Sequence, residues 1–271
     1  MFATLIIVFR EAIEAGLIVG IVLAATKGVA GRGGWVTAGV VGGMIGASLV
    51  AAFAGGLSRL FMGSGQELFN ATVLLLAVAM LTWHNVWMAS HGREISRQMQ
   101  ALGADVKVGA RSLPALAVVV GIAVLREGSE VVLFLYGILA QGGATASEMF
   151  LGGALGLAAG AALSALIYFG LVAIPTRRLF AVTGVLITLL AAGLAVQAVA
   201  FLQQAGLLRL LDAPVWNTSA LLPEGSVVGR MLKTLTGYTD QPDGLQLIAW
   251  GVVVALMVGL TRLVGRRNAA A

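Results

Sequence analysis

The chain has 271 residues, of which 59% are apolar and only 11% charged, with 17 Lys and Arg against 12 Asp and Glu. That is about half the charge of an ordinary soluble domain, and it excludes disorder, a coiled coil and a soluble enzyme, because a chain this size could not hide so much apolar surface from water. Cysteine is absent, so disulfides, thiolate metal sites and thiol catalysis are excluded as well.

A bilayer core about 30 Å thick needs roughly 20 apolar residues per spanning helix. Seven segments meet this, at 3–26, 35–57, 66–90, 114–140, 147–173, 178–204 and 244–264. The fold class expected is therefore all-α and polytopic. The first segment is expected to remain as a span rather than serve as a cleavable signal peptide, because Arg10-Glu11 breaks its apolar run early and no basic stretch precedes it.

The connections between spans carry unequal charge. One set holds eleven basic residues: Lys27, Arg32, Arg93, Arg97, Lys107, Arg111, Arg177, Arg178, Arg262, Arg266 and Arg267. The alternate set holds Arg59, Arg209, Arg230 and Lys233. The positive-inside rule then places the N-terminus outside and the C-terminus inside, as an odd number of spans requires. The net charge of +5 reads as an orientation signal, not a nucleic-acid surface. Two connections are long: 91–113, polar and expected as a cytoplasmic loop, and 205–243, external, with Asp212, Glu224, Asp240 and Asp243.

The chain contains a repeat. Phe9-Arg10-Glu11-Ala12-Ile13-Glu14 in the first span matches Leu125-Arg126-Glu127-Gly128-Ser129-Glu130 in the fourth. Gly39, Gly43 and Ala47 in the second match Gly152, Gly156 and Gly160 in the fifth, and Leu68-Phe69-x-x-Thr72 matches Leu179-Phe180-x-x-Thr183. The reading is a three-helix unit used twice, over 1–90 and 114–204, with the segment 244–271 outside it. Three spans per unit invert the second copy, an architecture of transporters with a binding site near the midplane.

Six charges lie inside apolar spans: Arg10, Glu11, Glu14, Arg126, Glu127 and Glu130. Each costs about 2.5–3.5 kcal/mol at the centre of an isolated span, so chance does not explain them. Glu11 lies roughly 13 Å into its helix, near mid-depth. Glu11 and Glu14, at i, i+3, can face one point, and Arg10 can pair with Glu14 at i, i+4. If both spans meet at the repeat axis, four carboxylates converge with two guanidiniums, a formal sum of −2 that a cation would neutralise. All-oxygen anionic ligation suits hard cations. Two other readings are Arg–Glu pairs that lock the bundle, which leaves two glutamates unmatched, and a proton relay.

With R-E-x-x-E in spans 1 and 4 of seven, the chain resembles the oxidase-dependent iron transporters, which comprise the fungal high-affinity iron permeases and the permease of a bacterial three-component iron-uptake system. Gln66-Glu67-Leu68-Phe69, Leu81-Thr82-Trp83-x-x-x-Trp87-Met88, Ala191-Ala192-Gly193-Leu194-Ala195 and Gly237-Tyr238 extend the likeness along most of the chain. The resemblance implies an iron permease of the plasma membrane, in a bacterium the inner membrane. Iron would be its transported substrate, no cofactor would be held permanently, and no nucleic acid would be bound. It assigns metal handling to Glu11, Glu14, Glu127 and Glu130, with Arg10 and Arg126 in support. It also implies an external partner: a cupredoxin-like protein and a haem peroxidase in the bacterial case, a multicopper oxidase in the fungal. The first motif departs from the usual R-E-G-x-E, with Ala12 where glycine stands in relatives. Because the family includes permeases linked to lead, lead or manganese is an alternative cargo, and a metal-dependent membrane enzyme is a second alternative.

Three further residues are candidates. Glu67 and Asn70, one turn apart at the outer end of span 3, could receive metal first, or could simply favour the helix N-terminus. His84, expected near the inner end of the same span, could guide metal out, or serve as a core histidine with His91 on its face.

Overall fold

The computed structural model describes residues 1–60, 65–140, 145–171 and 176–270, with side chains except at 56–60, 89, 90, 92, 93, 176–180 and 265–270. The side chains of Arg59, Arg93, Arg177, Arg178, Leu179, Phe180, Arg266 and Arg267 therefore lie outside the described residues. In chain order the helices are α1 (Phe2–Ala25), α2 (Arg32–Leu60), α3 (Gln66–Lys107), α4 (Pro114–Ala140), α5 (Ala146–Tyr168), α6 (Thr176–Gln204), α7 (Val227–Thr236) and α8 (Gly244–Ala270).

Local chemistry sets the helix ends. Pro114 opens α4, where its missing N–H would have no helical partner anyway. Thr145 and Glu148 form a reciprocal capping box at the start of α5. Ser226 caps α7 through a 3.0 Å bond from Gly229 N–H. The α1–α2 turn passes through Gly28 and Gly31, both at positive φ.

Among the described residues, five helices, α2, α3, α5, α6 and α8, are long and apolar enough to cross a membrane. The protein is an all-helical, polytopic membrane protein. Helices α1 and α4 have comparable lengths of 24 and 27 residues, and each carries three charges in its interior. The segment 91–113 differs from the expected loop: α3 continues through it to Lys107. At 42 residues and 1.5 Å per residue, α3 is about 60 Å long, twice the thickness of a bilayer core. Polar side chains after His91 do not stop a helix when no proline intervenes, and the isolated Gly92 and Gly103 are tolerated within it.

The packing is cross-wise. Helix α1 runs against α5, α2 against α4, and α3 against α6. Glycines permit backbone contact at the first two crossings. A Cβ at Gly39 would lie 2.6 Å from Ala117 O, and one at Gly43 would lie 2.7 Å from Gly121 O. On α5, Gly152 lies against Met1 O, and a Cβ at Gly156 would lie 2.6 Å from Leu5 O. The partners Met1 and Ala117 are 116 positions apart, as are Leu5 and Gly121. That is also the spacing between the two R-E-x-x-E motifs. The departure at Ala12 is accommodated here. Ala12 meets Gly160, whereas its counterpart Gly128 meets Ala47, so each crossing uses one alanine and one glycine.

Two apolar layers flank the middle of the bundle. One contains Ala3 and Ile7 of α1, Leu74, Ala77 and Leu81 of α3, Phe134 and Ile138 of α4, and residues of α6 and α8. The other contains Val22 of α1, Val36 of α2, Leu102 and Val106 of α3, and Leu116 and Val120 of α4. Passing from the first layer to the second, α1 and α3 run forward in sequence and α4 runs backward. The outward faces of α2 and α5 expose Ile45, Leu49, Phe53, Phe150 and Leu151, as a lipid-facing surface does.

Candidate metal centre

The six charges of α1 and α4 lie between the two apolar layers. Arg10, Glu11, Glu14, Glu127 and Glu130 are all buried. Burial of this many charges calls for close pairing, which Arg10, Glu11, Glu14 and Glu130 have. The Arg10 guanidinium donates to Glu11 Oε1 at 3.0 Å and meets Glu14 Oε1 at 2.9 Å. Arg126 reaches Glu130 Oε1 at 3.2 Å through Nε.

The two arginines occupy matching sequence positions but different surroundings. The Arg10 side chain is 3% exposed, whereas that of Arg126 is 37% exposed and rests over the Trp87 ring, 4.1 Å from its centroid. Trp87 in turn stacks on His91 with ring centroids 5.1 Å apart. Trp87 thus carries one of the motif cations.

His84 is not at the inner end of a path. It sits inside the cluster, 1% exposed, with Nε2 3.2 Å from Glu14 Oε2 and 3.9 Å from Glu11 Oε2. Its Nδ1 pairs with Glu130 Oε2. One ligand atom each from Glu11, His84, Glu127 and Glu130 form a set with every member within 4.8 Å of the others. Glu14 stands beside this set, held by Arg10 and His84. The signal for His84 was present in the pattern. Leu74, Ala77 and Leu81 mark the buried face of α3, and His84 continues that face at helical spacing.

Glu67 and Asn70 are not part of the cluster. Glu67 is exposed in the first turn of α3, and Asn70 is half-buried at the start of the next. Seventeen residues of helix, about 25 Å, separate Glu67 from His84.

The segment 205–243, expected as a long external connection, is built around α7. Gly237, in the left-handed conformation at φ 75°, ends α7 and packs against Gly193 of α6, where a Cβ on Gly193 would lie 2.6 Å from Gly237 N. Tyr238 Oη donates to Leu222 O at 2.8 Å, and Trp250 Nε1 donates to Thr236 O at 2.8 Å. Two short motifs that stand far apart in sequence, around Gly193 and Gly237-Tyr238, therefore form one contact.

Fold and cluster define a class: a polytopic helical membrane protein whose buried polar centre can hold a cation. Comparison with known proteins makes the class specific. The model of the iron permease FTR1 family matches residues 1–265, and the chain belongs to that family. It is 32% identical over 254 residues to the ferrous iron permease EfeU of Escherichia coli O157:H7, covering 92% of this chain and 91% of the relative. It is 30% identical over 246 residues to the ferrous iron permease EfeU of Yersinia pestis, covering 89% of this chain and 86% of the relative. No solved structure matches the chain. The protein is a transporter and not an enzyme, which removes the alternative of a metal-dependent membrane enzyme.

Proposed function

We propose that the protein carries ferrous iron across the bacterial inner membrane into the cytoplasm, through a midplane site built from both R-E-x-x-E motifs. The observation that carries this reading is the convergence of Glu11, Glu127 and Glu130 within one ligand-sized set, with Glu14 beside it, between two apolar layers. Four carboxylates against two guanidiniums leave a formal −2, which a divalent cation neutralises. Carboxylate oxygens replace the hydration shell of the ion, and the guanidiniums hold the carboxylates in place when the site is empty. The ferrous form follows from the names of the relatives; the residues alone are compatible with other divalent cations.

The architecture proposed is seven spans in two inverted units, 1–90 and 114–204, with the N-terminus outside. It is supported by the cross-wise crossings at a constant spacing of 116 and by the opposite directions of α1 and α4. Apolar layers on both sides of the site fit an occluded arrangement. Access would alternate as one unit moves against the other. An external redox partner would meet the ordered segment 205–243.

The test is uptake of radioactive iron, kept ferrous with ascorbate, by cells or proteoliposomes. Glu11→Gln, Glu127→Gln and Glu130→Gln each abolish uptake at normal expression. Full uptake by the Glu127→Gln and Glu130→Gln proteins would falsify the site. Competition by manganese and lead distinguishes the alternative cargoes.

A further inference from the structure

The carboxylates alone suffice for the transport reading, yet the cluster contains an imidazole as well. His84 is buried against α1 and α4, and every described charged group facing it belongs to the motifs: Glu11, Glu14 and Glu130 within 4 Å, with Arg10 beyond them. The other histidine of the chain, His91, is exposed and bonded to Trp87 O, so His84 is the imidazole at the centre. Arginine offers only donors and cannot ligate.

Two buried oxygens point to an ion. Glu127 Oε2 and Glu11 Oε2 are buried with no hydrogen-bond partner among the described residues. Unpartnered buried carboxylate oxygens are costly, and a cation is the partner that satisfies them. Four ligands held at about 2.1 Å from one ion lie about 3.4 Å apart in a tetrahedral arrangement, so the observed set, within 4.8 Å, closes on an ion with side-chain shifts of less than about 1 Å. Glu14 lies outside that set and against Nε2. A carboxylate on one imidazole nitrogen is how metal-bound histidines are oriented through the other.

We propose that His84 Nδ1 is a direct ligand of the transported ion, that Glu14 orients the ring through Nε2, and that this nitrogen sets the preference of the site for Fe2+ over Mn2+, Mg2+ and Ca2+. The inference rests on the central-site reading above. Sites made of carboxylates alone suit Mg2+, Ca2+ and Mn2+, whereas imidazole favours Fe2+ and the later metals. One nitrogen among oxygens is therefore a means of telling iron from the abundant hard cations. Glu14 is a positioning residue on this view.

The experiment uses the full chain in proteoliposomes, with ascorbate-reduced Fe2+ and with Mn2+ as the two probes. His84→Gln keeps an oxygen donor in place of the nitrogen. It is expected to raise the KM for Fe2+ at least tenfold and to lower the Fe2+/Mn2+ uptake ratio at least tenfold, with Mn2+ uptake retained. An unchanged ratio overturns the proposal even if both rates fall, since that is what a structural role would produce. A second measurement does not depend on the His84 variant folding. Cu2+ bound to the His91→Gln protein, freed of any tag, reports a single coordinated imidazole by pulsed EPR; absence of the nitrogen modulation rejects His84 as a ligand. The two readings fail separately. Full uptake by Glu127→Gln sinks the central site, whereas a dead Glu127→Gln with an unchanged His84→Gln ratio sinks only this inference.

Discussion

Arg10 and Arg126 hold equivalent places in the two motifs, and replacing each with glutamine should have unequal consequences. Arg10 is 3% exposed and contacts two carboxylates, at 3.0 and 2.9 Å. Its loss strands Glu11 and Glu14, both 1% exposed. Removing one partner of a buried ion pair costs about 3–5 kcal/mol. Arg126 contacts one carboxylate at 3.2 Å, and its side chain is 37% exposed, so solvent screens the pair. That pair contributes at most about 1 kcal/mol, and the Trp87 contact about 0.5–1 kcal/mol more. At roughly 2–4 °C per kcal/mol for a chain near this size, Arg10→Gln lowers the Tm by about 10 °C and Arg126→Gln by about 4 °C. The assay is thermal unfolding of the purified protein in detergent, followed by tryptophan fluorescence and checked by size exclusion. Adding Glu14→Gln to Arg10→Gln should restore part of the loss, because it removes one of the two stranded charges. Equal shifts for the two arginines, or no recovery in the double variant, would refute the assignment of Arg10 as a buried clamp.

Two packing predictions use the same material. Gly43→Ala places a Cβ 2.7 Å from Gly121 O and from Val124 Cβ, an overpacking that costs about 1–3 kcal/mol, while Gly42→Ala meets nothing within 4 Å and leaves the Tm unchanged or slightly raised. A thermal scan in which the two behave alike would contradict the α2–α4 crossing. Gly237→Ala combines a positive φ of 75° with a Cβ 2.5 Å from Gly193 Cα. It should release α7 and speed protease cleavage within 205–243 while the remaining helices stay protected; an unchanged cleavage rate would show that this contact does not anchor the segment.

Much of this protein is legible from composition alone. Apolar runs of bilayer length can only be helices, since lipid offers no partner to an unpaired peptide group, so the helical and membrane character follow directly. Charges in such runs are too costly to be incidental, which is why Glu11, Glu14, Glu127 and Glu130 stand out in one dimension. The spacing of R-E-x-x-E states which of them can share a helix face. None of this says what lies opposite that face. His84 looks in sequence like any histidine of a third span; only the packing of α3 against α1 and α4 sets it among the carboxylates. The two arginines are indistinguishable by motif, and only the packing encloses Arg10 with two carboxylates while leaving Arg126 partly open against the Trp87 ring. The extent of α3 was hidden for a related reason: polar residues after His91 mark where the lipid ends, not where the hydrogen-bonded helix does. The sequence by itself determined the solvent, the helical character of the spans and the candidate charges, because those depend on local transfer energies. The tertiary structure decided which charges meet, which are shielded and which residue joins them, because those depend on contacts between helices far apart in the chain.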